Sequence, residues 1–100
     1  MKKWPKLKKF DIVFVKWEDI VGSGGEWCHI DHDDTEPQLC YNIGFIYAGM
    51  NKNSKTLKVC ACISEGVISH RDAIPKGCIK DVIILKRLDK KLNSWVDCEE

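Results

Sequence analysis

No run of apolar residues in this chain approaches the roughly 20 needed for a helix to span a bilayer. None follows the N-terminal lysines as the apolar core of a secretory leader would. A membrane helix and a leader are therefore not expected, and a protein of the reducing cytosol is. The sequence also lacks C-x-x-C and H-x₃-H pairs, the spacings that zinc sites usually show. No elbow or similar signature positions a cysteine thiol beside a base. Net charge is only +1, so the chain as a whole has no electrostatic footprint for nucleic acid. These absences leave a small binding protein as the expectation, with no enzyme activity and no cofactor.

What is present is a chain of 100 residues with an apolar share of 44%, enough to bury a core in one small domain. Its charge is segregated. Lys2, Lys3, Lys6, Lys8 and Lys9 crowd a basic N-terminal arm (residues 1–9) that also carries Trp4 and Leu7. Glu26, Asp31, Asp33, Asp34 and Glu36 crowd one loop. The six cysteines are read as reduced. Cys60 and Cys62 flank Ala61 in a strand-like run, where they point the same way rather than pair.

The organising stretch is Ile74-Pro75-Lys76-Gly77-Cys78-Ile79. Pro75 has no N–H and cannot sit inside a central strand, and Gly77 can supply a left-handed reversal. The hexapeptide is read as a one-turn 3-10 element between two strands, anchored by Ile74 and Ile79. Strands are expected over residues 10–17, 39–50, 55–64, 67–74 and 78–86. Gly44 and Gly49 should bend the second, and Glu65-Gly66 should turn the third into the fourth. In the third, Leu57, Val59, Ala61 and Ile63 should face inward, and Lys58, Cys60 and Cys62 outward. The first strand is apolar on both faces, with Phe10, Ile12 and Phe14 on one and Val13, Val15 and Trp17 on the other. Its second face needs cover from a terminal segment or from another subunit. Leu88, Leu92, Trp95 and Val96 recur at helical spacing, which predicts a short C-terminal helix over residues 89–96 and then an acidic tail. The expected fold is all-β: a five-stranded SH3-like or Sm-like small barrel over residues 10–88, with a 3-10 turn before the last strand and that helix laid on it. A homo-oligomer is expected.

Three segments together carry a resemblance: Val15-Lys16-Trp17-Glu18-Asp19, Gly44-Phe45-Ile46 and the hexapeptide at 74–79. Over about residues 13–85 the chain resembles small SH3/Sm-like barrel proteins encoded by tailed bacteriophages, most without an assigned function. The resemblance implies a protein of the infected host's cytoplasm and brings over no catalytic residue. Phage proteins of this size often inhibit a host enzyme, block a defence system or sequester a defence signal. That implies an anti-defence binding protein whose partner is a host protein or a nucleotide-like ligand.

Several side chains could do the binding. Trp27, His29 and His32 lie in the long loop after the first strand, and Tyr47 lies on the second. His70, Arg71 and Lys76 could offer cations to an anionic ligand, although a solvated ladder of surface charge is the better account of them. Cys28 and His32 are weak metal candidates, short of the four ligands zinc takes; a polar loop that happens to hold histidines explains them as well. Cys60, Cys62 and His70 could lie on adjacent strands, but a buried cysteine usually behaves as a small apolar residue. The alternative function is nucleic-acid binding by the arm, with Lys2, Lys3, Lys6, Lys8 and Lys9 on phosphates and Trp4 stacked on a base.

Overall fold

The computed structural model describes residues 4–20 and 25–98. It is all-β: β1 (Ile12–Asp19), β2 (Gln38–Ala48), β3 (Thr56–Ser64), β4 (Val67–Pro75), β5 (Ile79–Asp89) and β6 (Ser94–Val96). Short 3-10 turns occupy Ile30–His32 and Lys76–Cys78. The strands form one antiparallel sheet in the order β4-β3-β2-β1-β5-β6. Five of them fall where the apolar runs and turn residues put them.

The turns explain the register. Glu65 and Gly66 are both left-handed, with φ of 45° and 82°, the geometry of a two-residue turn that matches strand twist. Gly49 has φ of 91°, and a Cβ there would lie 2.1 Å from the Thr56 carbonyl oxygen, so only glycine fits where β2 leaves the sheet. A register shift between Ile46 and Ala48 puts the irregularity of β2 around Tyr47 rather than at Gly44, which pairs in regular register with Val13. The hexapeptide forms the 3-10 turn between β4 and β5, and Ile74 and Ile79 are both buried. Gly77 plays no left-handed part in it; among the described residues Gly25, Gly49 and Gly66 are the left-handed glycines. The Lys76 amide donates to the Lys55 carbonyl at 2.8 Å, which pins the turn to the start of β3.

One face of the sheet holds the core, made by Leu7, Val13, Val15, Ile46, Leu57, Val59, Ile74, Ile79 and Val82. Trp4, Trp17, Met50 and Ile84 pack on it. The N-terminal arm is thus tied down through Trp4 and Leu7. Cys60 departs from the expected pattern. It lies on the face away from Val59, yet it is buried. Its partner across the ladder is Phe45, which carries the Trp95 ring edge-on at 5.3 Å.

Two expectations need correction at the C-terminus. Residues 89–96 form no helix but the β5–β6 hairpin, pairing Arg87 with Val96, Leu88 with Trp95 and Asp89 with Ser94. The helical spacing of Leu88, Leu92 and Trp95 loses to local turn chemistry. The Asp89 carboxylate accepts hydrogen bonds from the amides of Lys91 and Leu92 at 2.9 and 3.2 Å. Asn93 takes a left-handed φ of 50°, which asparagine tolerates better than most residues. The sheet is also not closed into a barrel. Its edges are β4 and β6, and β6 occupies the second edge of β5.

Asp11 is the buried charge of the fold, at 0% exposure. Arg87 grips it from β5 with two bonds of 3.0 Å, Nε to Oδ1 and Nη2 to Oδ2. The same Nη2 donates to the Lys6 carbonyl at 2.7 Å, and the Lys8 amide donates to Asp11 Oδ2 at 2.8 Å. The chain kinks here through Phe10, whose φ is 69°. Replacing Arg87 by methionine strands a buried carboxylate and should destabilise the protein by about 3–5 kcal/mol, read as a lowered urea midpoint. Adding Asp11→Leu to Arg87→Met should recover part of that loss. An Arg87→Met variant as stable as wild type would show that the pair does not hold the arm.

Candidate functional site

β1 and β2 pair without interruption from Ile12 opposite Phe45 to Asp19 opposite Gln38. The chain between them, residues 20–37, exceeds the roughly 12–15 residues beyond which a loop in a compact domain is usually functional. Every residue from 25 to 39 is exposed. Trp27 is 101% and Ile30 92% exposed, so neither pins the loop to the sheet. The molecule measures 60 × 29 × 23 Å, and its radius of gyration of 16.9 Å exceeds the ~13 Å of a compact chain of this length.

Local bonds shape the loop. The His32 amide donates to the His29 carbonyl at 2.9 Å and closes the 3-10 turn Ile30–His32. Asp33 Oδ1 accepts from the Thr35 hydroxyl at 2.7 Å and from the Thr35 amide at 3.1 Å. These bonds favour the charged carboxylate and hold Asp33 below the ordinary aspartate range, the hydroxyl contributing most. Trp27, Cys28, His29, Ile30 and Asp31 line an open hollow of about 580 Å³. All five are consecutive residues of one exposed segment, so among the described residues no second element converges on it. The result is a surface that offers an indole, an isoleucine and a ring of carboxylates.

The other sequence-predicted residues are not gathered there. Tyr47 is half-buried on β2. His70 lies on edge strand β4 with φ of 55°, and its ring meets the Ser69 hydroxyl at 3.3 Å. Arg71 stands opposite Cys60 on the ladder. Lys76 is occupied elsewhere: its Nζ donates to the Asn51 carbonyl at 2.8 Å and lies 5.6 Å from the centroid of the Trp4 ring, and burial lowers its pKa. Asp72 accepts from Asn42, which in turn accepts from the Trp17 indole N–H, so Trp17 serves packing and this relay. His70, Arg71 and Lys76 therefore do not form one cationic site.

Cys28 directs its thiol to the His29 carbonyl at 3.3 Å, and the His29 and His32 rings stand 5.8 Å apart. Among the described residues no three His, Cys, Asp or Glu side chains are gathered to hold a metal. All six cysteines are free. Burial, with a smaller contribution from neighbouring Cys62, pushes the Cys60 thiol up, away from the reactive thiolate.

In the arm, Lys2 and Lys3 lie outside the described residues. Trp4 is half-buried on the core beneath Lys76, so its ring is not presented for stacking on a base. The backbones of Lys6 and Lys8 serve the Asp11–Arg87 fork, and Lys9 Nζ sits 5.2 Å from the Phe10 ring centroid.

Sequence reasoning found the loop but missed three polar features: the Asp11–Arg87 fork, the Trp17–Asn42–Asp72 relay and the tie between Lys76 and Asn51. Each joins residues far apart in the chain, and local pattern carries no signal for such pairs. No protein-family model, curated protein or solved structure matches the chain.

Asp33 gives a direct check on the loop's shape. Its depressed pKa means that the charged form holds the turn above the ordinary aspartate range, and the turn is lost as pH falls through the lower, folded value. An NMR carboxyl titration should place the Asp33 midpoint below the ordinary aspartate range, with the Thr35 amide shift following the same curve. Thr35→Val should move the midpoint upward. Identical midpoints in the two proteins would remove the turn.

Proposed function

We propose that this protein is a non-catalytic binding protein that acts by occupying the surface of another protein with its β1–β2 loop. The observation that carries this reading is the complete exposure of Trp27 and Ile30 among Glu26, Asp31, Asp33, Asp34 and Glu36. A tryptophan wholly in water leaves a large apolar surface unburied, and such side chains are the usual anchors of interfaces. The carboxylates would frame it as a polar rim. The matching partner surface has an apolar pocket edged with lysine and arginine, and opposite charge would steer it to the loop.

The resemblance to phage barrel proteins supplies the setting: a host cytoplasm, with a host protein as target and a defence component the first candidate. The strand order β4-β3-β2-β1-β5, with a 3-10 turn between β4 and β5, supports an SH3-like or Sm-like sheet, extended here by β6. Blocking a protein is favoured over holding a nucleotide-like signal, because His70, Arg71 and Lys76 do not converge as an anionic ligand needs.

The test is a comparison of variants. Wild-type protein and the double variant Trp27→Ala/Ile30→Ala are used as bait in lysate of a bacterial host. The captured protein is then titrated with each. An anchor loss of 2 kcal/mol or more predicts affinity lowered by at least about 30-fold, with the thermal midpoint unchanged because neither side chain touches the sheet. Equal affinity for the two baits would overturn the assignment to the loop.

A further inference from the structure

The sheet face opposite the core is itself apolar, and the fold covers only one end of it. Alternation along β1 places Ile12, Phe14, Lys16 and Glu18 on this outer face. Their ladder partners follow: Phe45, Ile43, Tyr41 and Leu39 on β2, with Ile83 opposite Phe14 on β5. Alternation from Ile83 puts Leu85 on the same side. At one end the β5–β6 hairpin provides cover: Trp95 packs edge-on against Phe45 and donates its indole N–H to the Phe10 carbonyl at 2.7 Å. Beyond that point the described residues leave the face open. Leu39, Tyr41, Ile43, Ile83 and Leu85 are left 41–65% exposed, around a Phe14–Tyr41 stack of 5.6 Å.

We infer that this outer face is a self-association surface, and that its occupant is a second copy of the chain packed sheet against sheet. Two observations select that occupant. The first is area. The five exposed side chains amount to on the order of 500 Å² of contiguous apolar surface, at the high end for a monomer. Two such patches face to face bury about 1,000 Å² before the rim is added, which reaches the threshold of a specific interface. The second is charge. The patch is framed by both signs of charge rather than by one: the ion pairs Lys80–Glu18 at 3.4 Å at one end and Lys86–Asp97 at the other, with Lys16 and Asp81 as ladder neighbours between. A twofold copy brings the same balanced frame and meets no like-charged block. A strongly acidic or basic partner would find no excess charge to match. The aromatic stack at the centre has the make-up of an interface anchor, and aligned sheets pack about 10 Å apart with their side chains interdigitated.

The surface is separate from the β1–β2 loop, so the two proposals fail independently. The experiment is sedimentation velocity of the full chain from about 2 to 200 µM, on wild type, Ile43→Lys/Ile83→Lys and Trp27→Ala. The inference expects wild type to pass from monomer to dimer within that range and Trp27→Ala to do the same. It expects the lysine pair to raise the dissociation constant at least 100-fold and stay monomeric throughout. Should that pair fail to fold, Ile43→Lys alone carries the test, since its side chain is largely in water. A wild type that is monomeric at 200 µM overturns the inference and leaves the face to a different macromolecule. So does a dimer that survives the lysine variants or one that Trp27→Ala dissolves.

Discussion

One buried ion pair sets the frame of this molecule. Asp11 has no exposed surface, so its charge is tolerable only with a complete set of partners. The structure supplies them from two parts of the chain, the guanidinium of Arg87 on β5 and the Lys8 amide of the N-terminal arm, and the Lys6 carbonyl accepts from the same guanidinium. The two bonds between Asp11 and the guanidinium fix its plane as well as its position. Asp11 immediately precedes β1, so the pair fixes where β1 begins relative to β5. It also holds residues 6–8 close, which delivers Leu7 into the core and Trp4 onto Lys76. The basic arm is built into the domain for this reason, and the backbone kink at Phe10 is what brings it back over the sheet.

The strands were legible because each is written locally. Glu65-Gly66 forces a tight reversal, Pro75 ends β4, and the apolar runs between such breaks are long enough for only one strand each. The C-terminal error has the same origin seen from the other side. Leu88, Leu92 and Trp95 fit a helical stripe, but a stripe that short gains little from propagation. Asp89 and Asn93 offer a turn at once, and the free edge of β5 offers a row of backbone partners. Periodicity over two turns cannot register that edge, because its existence depends on the whole sheet. The sheet stays open, and β6 pairs only with Arg87, Leu88 and Asp89 at the end of β5.

The candidate site was legible in outline only. Acid clustering and length marked the β1–β2 loop, and Trp27 stood out by residue type. That Trp27 and Ile30 are bare could not be read, since an apolar side chain in a loop is as readily a staple as a lure. The placement of the cationic set was hidden for a related reason. His70, Arg71 and Lys76 are close in sequence, but the 3-10 turn rotates Lys76 toward Asn51 and Trp4 while His70 and Arg71 stay on an edge strand. The apolar second face of β1, in contrast, was visible from alternation alone. The chain answers half of that requirement itself, with Trp95 over Phe45.

The division between frame and loop has a physical consequence for how such a protein can change. Everything that holds the sheet lies on the core face, in the Asp11 fork, in the hairpin turns and under Trp95. Among the described residues of the loop, 25–37 contribute no side chain to the core. A substitution there alters what is presented without altering what supports it, and surface changes away from packed features rarely move stability by more than about 0.5 kcal/mol. The loop surface is therefore free to vary while the fold stays fixed. The reverse does not hold: a change at Arg87 or Val15 acts on the strand pair from which the loop is suspended, and so on the loop's placement, without touching any residue of the loop.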